Sequence, residues 1–333
     1  TYNFRETGFF GAPGSTQTSE WVNIDNPKPT LPIQFRQAAT DADAESDATN
    51  AALYVQDQIR FGEHWQLVLG LRMDWFNLDY DNYRNNTRTS EDFDALTPRA
   101  GLIFNPIDNV SIYAAYTESY VPRSGEQLGS LTPGNANLDP ESFDNTEIGV
   151  KWQINEGLFT SLALYQLNRG NIAVNDPDNP GQFLLIDAQR NQGLEWEITG
   201  NITDNLQFLA GYAYQDASFT RDISSTVTEG TVLPLVPEHS GYVWGLWNIT
   251  PQWGIGLGLN SQTQVFTSTS NDVVLPGFTR FDGAVYFNQS ETLEWQINIE
   301  NLTDRRYFST AHNDNNISVG APRAVLLTAN LSF

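Results

Sequence analysis

Few residues in this sequence could do bond-making chemistry. Its 333 residues include no cysteine and only three histidines, His64, His239 and His312. Neither a thiolate metal site nor a disulfide framework exists. The histidines lie far apart, and no facial triad spacing joins them to a carboxylate. No serine sits in an elbow motif that would place a nucleophile beside a base. No catalytic residue, metal site or bound cofactor is therefore expected. The densest group of potential ligands is the acidic run Asp41-Ala-Asp-Ala-Glu-Ser-Asp47. Carboxylate oxygens suit Ca²⁺, but the run lacks the spacing and glycine of a calcium loop. A solvated, mobile loop is the expected reading. Seventeen basic against 40 acidic residues give a net charge of −23, which argues against a nucleic-acid partner.

What the sequence does carry is alternation, the period-2 pattern of strands. Leu67, Leu69, Leu71, Met73 and Trp75 oppose Val68, Gly70, Arg72 and Asp74. Ile148, Val150, Trp152 and Ile154 oppose Glu147, Gly149, Lys151 and Gln153. Ile255, Leu257 and Leu259 face away from Gly254, Gly256 and Gly258, and Trp295, Ile297 and Ile299 from Gln296, Asn298 and Glu300. Segment 159–167 chooses no face cleanly. In the closing stretch Ala324-Val-Leu-Leu-Thr-Ala-Asn-Leu-Ser-Phe333, the residues Val325, Leu327, Ala329, Leu331 and Phe333 share one face. The chain thus stops on an aromatic inside a strand, which suggests an end held in a sheet.

Short polar turns of hairpin type recur at 61–65, 105–110, 155–158, 203–206, 250–253 and 288–293, roughly every 40 to 50 residues. That period also suits a β-propeller. Here, however, two long strands separate successive turns, and blade signatures are absent. Long hairpins with short turns at one rim and long loops at the other describe a transmembrane β-barrel. No run of eighteen apolar residues offers a membrane helix. The expectation is an all-β, antiparallel barrel forming one domain over residues 1–333, with about fourteen strands.

If Phe333 ends at the periplasmic rim, all six short turns share that rim. The polar stretches 11–50, 84–95, 122–142, 170–183, 222–232, 267–275 and 308–318 then lie outside. Arg72, Asp74, Arg99, Glu147, Lys151, Glu195, Glu197 and Glu300 sit opposite the apolar face. Facing lipid, a basic residue at mid-depth would cost about 2–4 kcal/mol, so these groups are expected to line a wide interior. Tyr120, Trp75 and Tyr80 fall near the outer rim, as candidate ligand contacts or as residues of an interfacial aromatic girdle.

Several segments resemble TonB-dependent outer-membrane receptors. Asn301-Leu-Thr-Asp-Arg-Arg-Tyr307 is similar to the family's Asn-Leu-Phe-Asp-Lys-x-Tyr segment, with Thr303 where Phe is usual. Gly320-Ala-Pro-Arg323 and the Phe-terminated strand resemble its C-terminus. Tyr113-Ala-Ala-Tyr-Thr-Glu-Ser-Tyr-Val-Pro-Arg-Ser-Gly125 is similar to the Tyr-Ser-Glu-Ser-Phe-x-Pro-x-Ser-Gly segment of the siderophore branch. Leu138-Asp-Pro-Glu141, Glu147-Ile-Gly-Val-Lys151, Gln192-Gly-Leu-Glu-Trp-Glu197 and Pro276-Gly-Phe-Thr-Arg-Phe-Asp282 follow in the family's order. Residues 165–180 look like an extracellular hairpin, and Asn26-Pro27 loosely resembles the ferrichrome-receptor group.

The resemblance implies a barrel of 22 strands preceded by a plug domain and a TonB box. Plug, box and about eight strands are not visible here, so the chain reads as the C-terminal part of such a barrel. It implies a Gram-negative outer-membrane location and uptake of ferric siderophores, of hydroxamate type, energised by TonB. The expected partners are the chelate, TonB, the lipid bilayer and the barrel-assembly machinery. The last would read Leu327, Ala329, Leu331 and Phe333 as an assembly signal. His312, five residues after Tyr307, stands where the family often places a pocket aromatic. Two other readings stay open: a plug-less fourteen-stranded passive channel, and a soluble propeller-like binding module.

Overall fold

The computed structural model describes residues 2–5, 8–10, 34–36, 43–125, 128–129, 131–175 and 183–332. Every regular element among them is a strand. Fourteen strands form one antiparallel sheet with neighbours consecutive in the chain. They are β1 (Tyr2–Arg5), β2 (Asp43–Phe61), β3 (Trp65–Asn82), β4 (Thr87–Ile107), β5 (Val110–Val121), β6 (Glu141–Asn155) and β7 (Leu158–Gly170). They continue as β8 (Gln189–Thr203), β9 (Leu206–Phe219), β10 (His239–Asn248), β11 (Trp253–Gln262), β12 (Phe278–Asn288), β13 (Leu293–Glu300) and β14 (Ala324–Leu331). A continuous fourteen-stranded sheet is not a propeller, whose blades are separate four-stranded sheets.

The short turns fall where their composition places them, and side chains close them. The Asn155 carboxamide accepts from the Gly157 N–H at 2.9 Å. The Thr250 hydroxyl accepts from Gln252 and Trp253, and Ser290 from Thr292 and Leu293. Such local acceptors are what Asn, Ser and Thr supply to turns.

Register, shifted only beside three of the short turns, lets the two faces be followed from strand to strand. Arg72 pairs with Thr97, and Arg99 with Thr117. Thr117 pairs with Asn145, so Glu147 shares that face. Pairing carries the same face on to Ala163, Glu195 and Ala213, then to Ser240, Gln262 and Phe278. This is the interior wall. The opposite face carries Leu67, Leu69, Leu71 and Met73, Ile148 and Val150, Ile255 and Leu257, and Ile297. Segment 159–167, ambiguous by pattern, resolves by pairing. Leu162 and Leu164 lie outward, whereas Ser161, Ala163 and Tyr165 lie inward.

Aromatic rims edge the apolar band. At the turn end Trp65 packs on Phe104, centroids 4.5 Å apart, and Trp253 stacks on Phe287 at 4.4 Å. Ten residues further along β3 lies Trp75. At about 3.3 Å per residue and a tilt of about 40°, Trp65 and Trp75 bracket roughly 25 Å of height, the depth of a barrel's apolar band.

Two expectations need correction. Residues 84–95 are not one loop: only 84–86 belong to the four-residue turn that joins β3 and β4, which pair in full register up to Asn82 and Thr87. Their polar composition reflects strands that continue into water. Asp43–Asp47 likewise begin β2, where Glu45 pairs with Asp81 and Asp47 with Asp79; Asp41 and Asn26-Pro27 lie outside the described residues. Tyr2–Arg5 pairs with Asp43–Ser46, while Gly8–Phe10 pairs with Gln34–Arg36.

Among the described residues no ladder joins β14 to β1. The exposure of the two edges agrees. Leu53, Tyr54 and Val55 are 69, 72 and 67% exposed, and Val325, Leu326 and Leu327 66, 62 and 62%. Consecutive residues on both faces are open there, whereas inner strands expose mainly their outward side chains.

Candidate functional site

The interior wall combines glycine and aromatic positions with glutamates. Tyr113 on β5 lies over Gly149, Tyr242 on β10 over Gly211, and Trp244 over Gly256 and Gly258. A Cβ at Gly149, Gly211 or Gly256 would come within 2.4–2.6 Å of the aromatic side chain that covers it. Glycine on the facing strand therefore lets each ring lie flat and keeps the wall shallow. Between Tyr113 and Tyr242 is a concavity of about 550 Å³, lined also by Glu147, Lys151, Glu195, Glu197 and Asn260. The Tyr113 hydroxyl donates to Glu147, and the Lys151 ammonium lies 5.3 Å from the Tyr113 ring centroid. Elsewhere on the same wall Arg72 donates to both oxygens of Asp74 at 2.7 Å. No group of His, Asp or Glu suited to a metal ion occurs among the described residues. A wall of this kind can hold a hydrated solute or a protein surface by hydrogen bonds.

Above Trp75 the loops gather in two clusters. In the first, the loop after β5 packs on the inner face of the extended β2–β4 wall. Leu131 and Ala136 join Ala44, Leu78 and Tyr80 in a buried apolar cluster, with Phe76 and Leu128 packed against it. The Ser46 hydroxyl donates to the Leu128 carbonyl at 2.7 Å. Glu91, 1% exposed, accepts the backbone N–H groups of Arg123 at 2.5 Å and Ser124 at 3.0 Å. Arg123 donates to the carbonyls of Asp139 and Asn171 and lies 3.7 Å from Glu141, which also pairs with Arg169 at 2.5 Å. Burial pulls the Arg123 guanidinium below its ordinary value, and Glu141 works against that shift.

The second cluster joins the loops after β9, β11 and β13. Val265, Leu275 and Ala311 form its core, with Ile317 beside them. Thr267 donates to Asp314, which holds the Asp314 carboxyl below its ordinary range. Asn271 exchanges hydrogen bonds with the backbone of Val232.

The Asn301–Tyr307 segment anchors the last long loop. Asn301 is 1% exposed and adopts φ 51°. Its amide donates to the carbonyls of Arg305 and Ala321, its side-chain oxygen accepts from the Arg305 N–H, and its own N–H reaches Asp282 at 2.7 Å. Tyr307 packs on Phe278 at 4.4 Å and occupies the space where a Cβ on Gly320 would stand. These residues fix the backbone of a loop.

The structure does not bring the four sequence-derived ligand candidates together. Trp75 lies on the outward face with Leu71 and Met73, 44% exposed, at the upper aromatic rim. Tyr120 also lies on the outward face, with Tyr116 and Glu118. Tyr80 is on the inner side but buried in the apolar cluster. His312 is exposed on the hairpin Phe308–Asn313 with Asn316–Val319. Leu327, Ala329 and Leu331 line the outward face of β14 opposite Ile297, Trp295 and Leu293; Phe333 lies outside the described residues. Sequence reasoning missed Glu91 and the partners of Arg123. Arg123 stood inside a recognised segment, but nothing marked Glu91 within its polar run.

An antiparallel sheet with an apolar outward band between aromatic rims, a polar inner wall and loops gathered at one end defines the wall of an outer-membrane barrel. The TonB dependent receptor-like β-barrel family matches residues 1–302. The chain belongs to that family, whose members are receptors and transporters rather than enzymes. It is 26% identical over 350 residues to the probable TonB-dependent siderophore receptor PiuA of Acinetobacter baumannii, covering 99% of this chain and 47% of that protein. To the metal-pseudopaline receptor CntO of Pseudomonas aeruginosa it is 30% identical over 294 residues, 85% of this chain and 40% of the relative. The crystal structure of PiuA superposes with a TM-score of 0.85 at 24% identity, over 98% of this chain and 50% of that one. Unliganded ferric citrate transporter FecA gives 0.76 at 21%, over 99% and 49%. The chain thus spans about half the length of the curated relatives it matches.

Proposed function

We propose that this chain forms most of the wall and mouth of an outer-membrane receptor that takes up ferric siderophores in a Gram-negative bacterium. The observation that carries the reading is the division of faces: an apolar band of membrane depth outside and a polar, glutamate-bearing wall inside. The names of the relatives, siderophore and metallophore receptors, point the same way. In this reading the loop clusters capture the chelate, and a plug within the full-length barrel, drawn by TonB, releases it inward. The ferric chelate is cargo, not a resident cofactor. Further strands in the full-length protein would cover the open edges of β2 and β14, since unpaired backbone is costly in lipid. A fourteen-stranded passive channel would need a ladder between β1 and β14, and none is present among the described residues.

Within ferric siderophores we propose hydroxamate chelates, on the resemblance to the ferrichrome-receptor group. The test is radio-iron uptake in cells lacking the full-length gene, with and without complementation. Loss of ferrichrome uptake, restored by the gene, is expected. Preference for a catecholate or for cobalamin would overturn the hydroxamate class. Unchanged uptake of every chelate would overturn the receptor reading.

A further inference from the structure

We infer that Glu91 and Arg123 are positioning residues that fasten the described parts of two extracellular loops, 122–125, 128–129 and 131–140 in the first and 171–175 and 183–187 in the second, to the β2–β4 wall as one fixed body. The loop 122–140 is long and polar at both ends, and by composition it should swing freely. Instead its entry is clamped. The Glu91 carboxylate, almost fully buried on β4, spans consecutive N–H groups at Arg123 and Ser124. Ser124 is wholly buried. Two N–H donors converging on one buried carboxylate form a charge-assisted pair of hydrogen bonds, stronger than neutral ones. An amide or a shorter acid cannot reproduce both at once.

The rest of the loop follows the clamp. Leu128, in a left-handed backbone at φ 54°, is held by the Ser46 hydroxyl through its carbonyl. Leu131 and Ala136 sink into the cluster around Leu78 and Tyr80. Arg123 then ties in the next loop. Its fork reaches the carbonyl of Asp139, at the exit of the same loop, and that of Asn171, at the start of the loop after β7. Asn171 in turn donates to the Pro140 carbonyl at 2.9 Å and is held by Asp187 at 3.1 Å. Phe183 of the second loop lies against Gly134 of the first. One buried acid and one buried base thus join the wall, the loop 122–140 and the loop 171–187.

The consequence rests on the receptor reading: these described segments present a fixed surface to an arriving chelate. They are not separate lids that close on it. The loop positions are tested without any ligand. The chain has no cysteine, so spin labels can be placed at Thr132→Cys, on the exposed part of the loop, and Asp92→Cys, on the outward face of β4, in the full-length protein in lipid vesicles. A single narrow distance distribution is expected, unchanged when ferrichrome is added. Glu91→Ala should broaden it severalfold, and Glu91→Gln, which keeps one acceptor, should fall between. Arg123→Lys, which keeps the charge but not the fork, should free the loop 171–187, read with a label pair at Leu184→Cys and Asp92→Cys. A broad distribution in the native protein, a shift on adding ferrichrome, or a narrow one in Glu91→Ala would each overturn the proposal. Ferrichrome affinity measured on the same proteins should fall at least tenfold in Glu91→Ala, with the heat-modifiable gel mobility of the folded barrel retained. Broadened distances with unchanged affinity would overturn the positioning role. Absence of ferrichrome binding by the native protein would count against the hydroxamate reading and leave the distance result standing.

Discussion

Below and above Trp75, the same two strands use opposite patterns. In the lower part of β3, Leu67, Leu69, Leu71 and Met73 face out, while Gly70, Arg72 and Asp74 face in. Above Trp75, Asp79 and Asp81 face out, whereas Phe76, Leu78 and Tyr80 face in. Strand β4 inverts at the same level. Arg88, Asp92 and Asp94 are outward above it and Leu96, Ala100 and Leu102 below, while Phe93 gives way inside to Thr97 and Arg99. Register is continuous through the inversion, so no side chain changes face. What changes is the medium: lipid outside the lower part, water outside the upper part. The inner face responds in turn. Below, it meets an aqueous or protein-filled interior; above, the loop 122–140 covers it.

This contrast can be broken most sharply at its buried side. Leu78 is fully buried, and Leu78→Ala should destabilise the mouth by about 2–5 kcal/mol, read as faster local hydrogen exchange on the loop 122–140. Exchange spread evenly over the whole sheet would contradict a separate upper core. At the membrane level, Leu71→Arg should cost about 2–4 kcal/mol in denaturant unfolding from vesicles. Ser90→Arg, also outward but above the rim, should stay within about 0.5 kcal/mol. Equal costs would mean that Trp75 does not mark the boundary.

On the interior wall, Gly256→Ala should overpack against Trp244 and cost about 1–3 kcal/mol. Breaking the inward Arg72–Asp74 pair by Arg72→Ala, where the guanidinium is exposed and Asp74 keeps its hydrogen bond from Asn50, should cost no more than about 1 kcal/mol, checked by the same unfolding assay. The smallest effect concerns pH. The carboxyl of Asp314 is held below its ordinary value of 3.8 by the Thr267 hydroxyl. Its tie between the loops after β11 and β13 is therefore complete above that value and lost as pH falls through the lower folded one. Protease access to the hairpin 308–319 should rise only in that acidic window, and Thr267→Val should move the rise to higher pH.

Alternation, turn chemistry and the aromatic rims were legible without coordinates because each is local. A strand's faces follow from parity, and Asn155, Thr250 and Ser290 close their turns with acceptors within three residues. The sequence also placed Arg72, Glu147 and Glu195 inside, since charge and lipid exclude each other whatever the partner strand. Polar strands that rise above the bilayer, such as Thr87–Ala95, read as loops because solvated strand and solvated loop share a composition. Pairing alone separates them.

The candidate ligand residues show the same limit. Trp75 and Tyr80 are aromatic and five positions apart, and the sequence left both with the same pair of readings, ligand contact or interfacial girdle. Opposite parity sends one to the lipid rim and the other into a buried cluster. Sequence by itself determined the class of wall, its two faces and which end carries the long loops, because those depend on neighbours one or two residues away. Only the tertiary structure decided that Glu91 grips a loop thirty-two residues onward, that Arg123 reaches Asn171, and that among the described residues both long edges stand open. Those outcomes depend on which distant backbone groups meet, and no local pattern encodes that meeting.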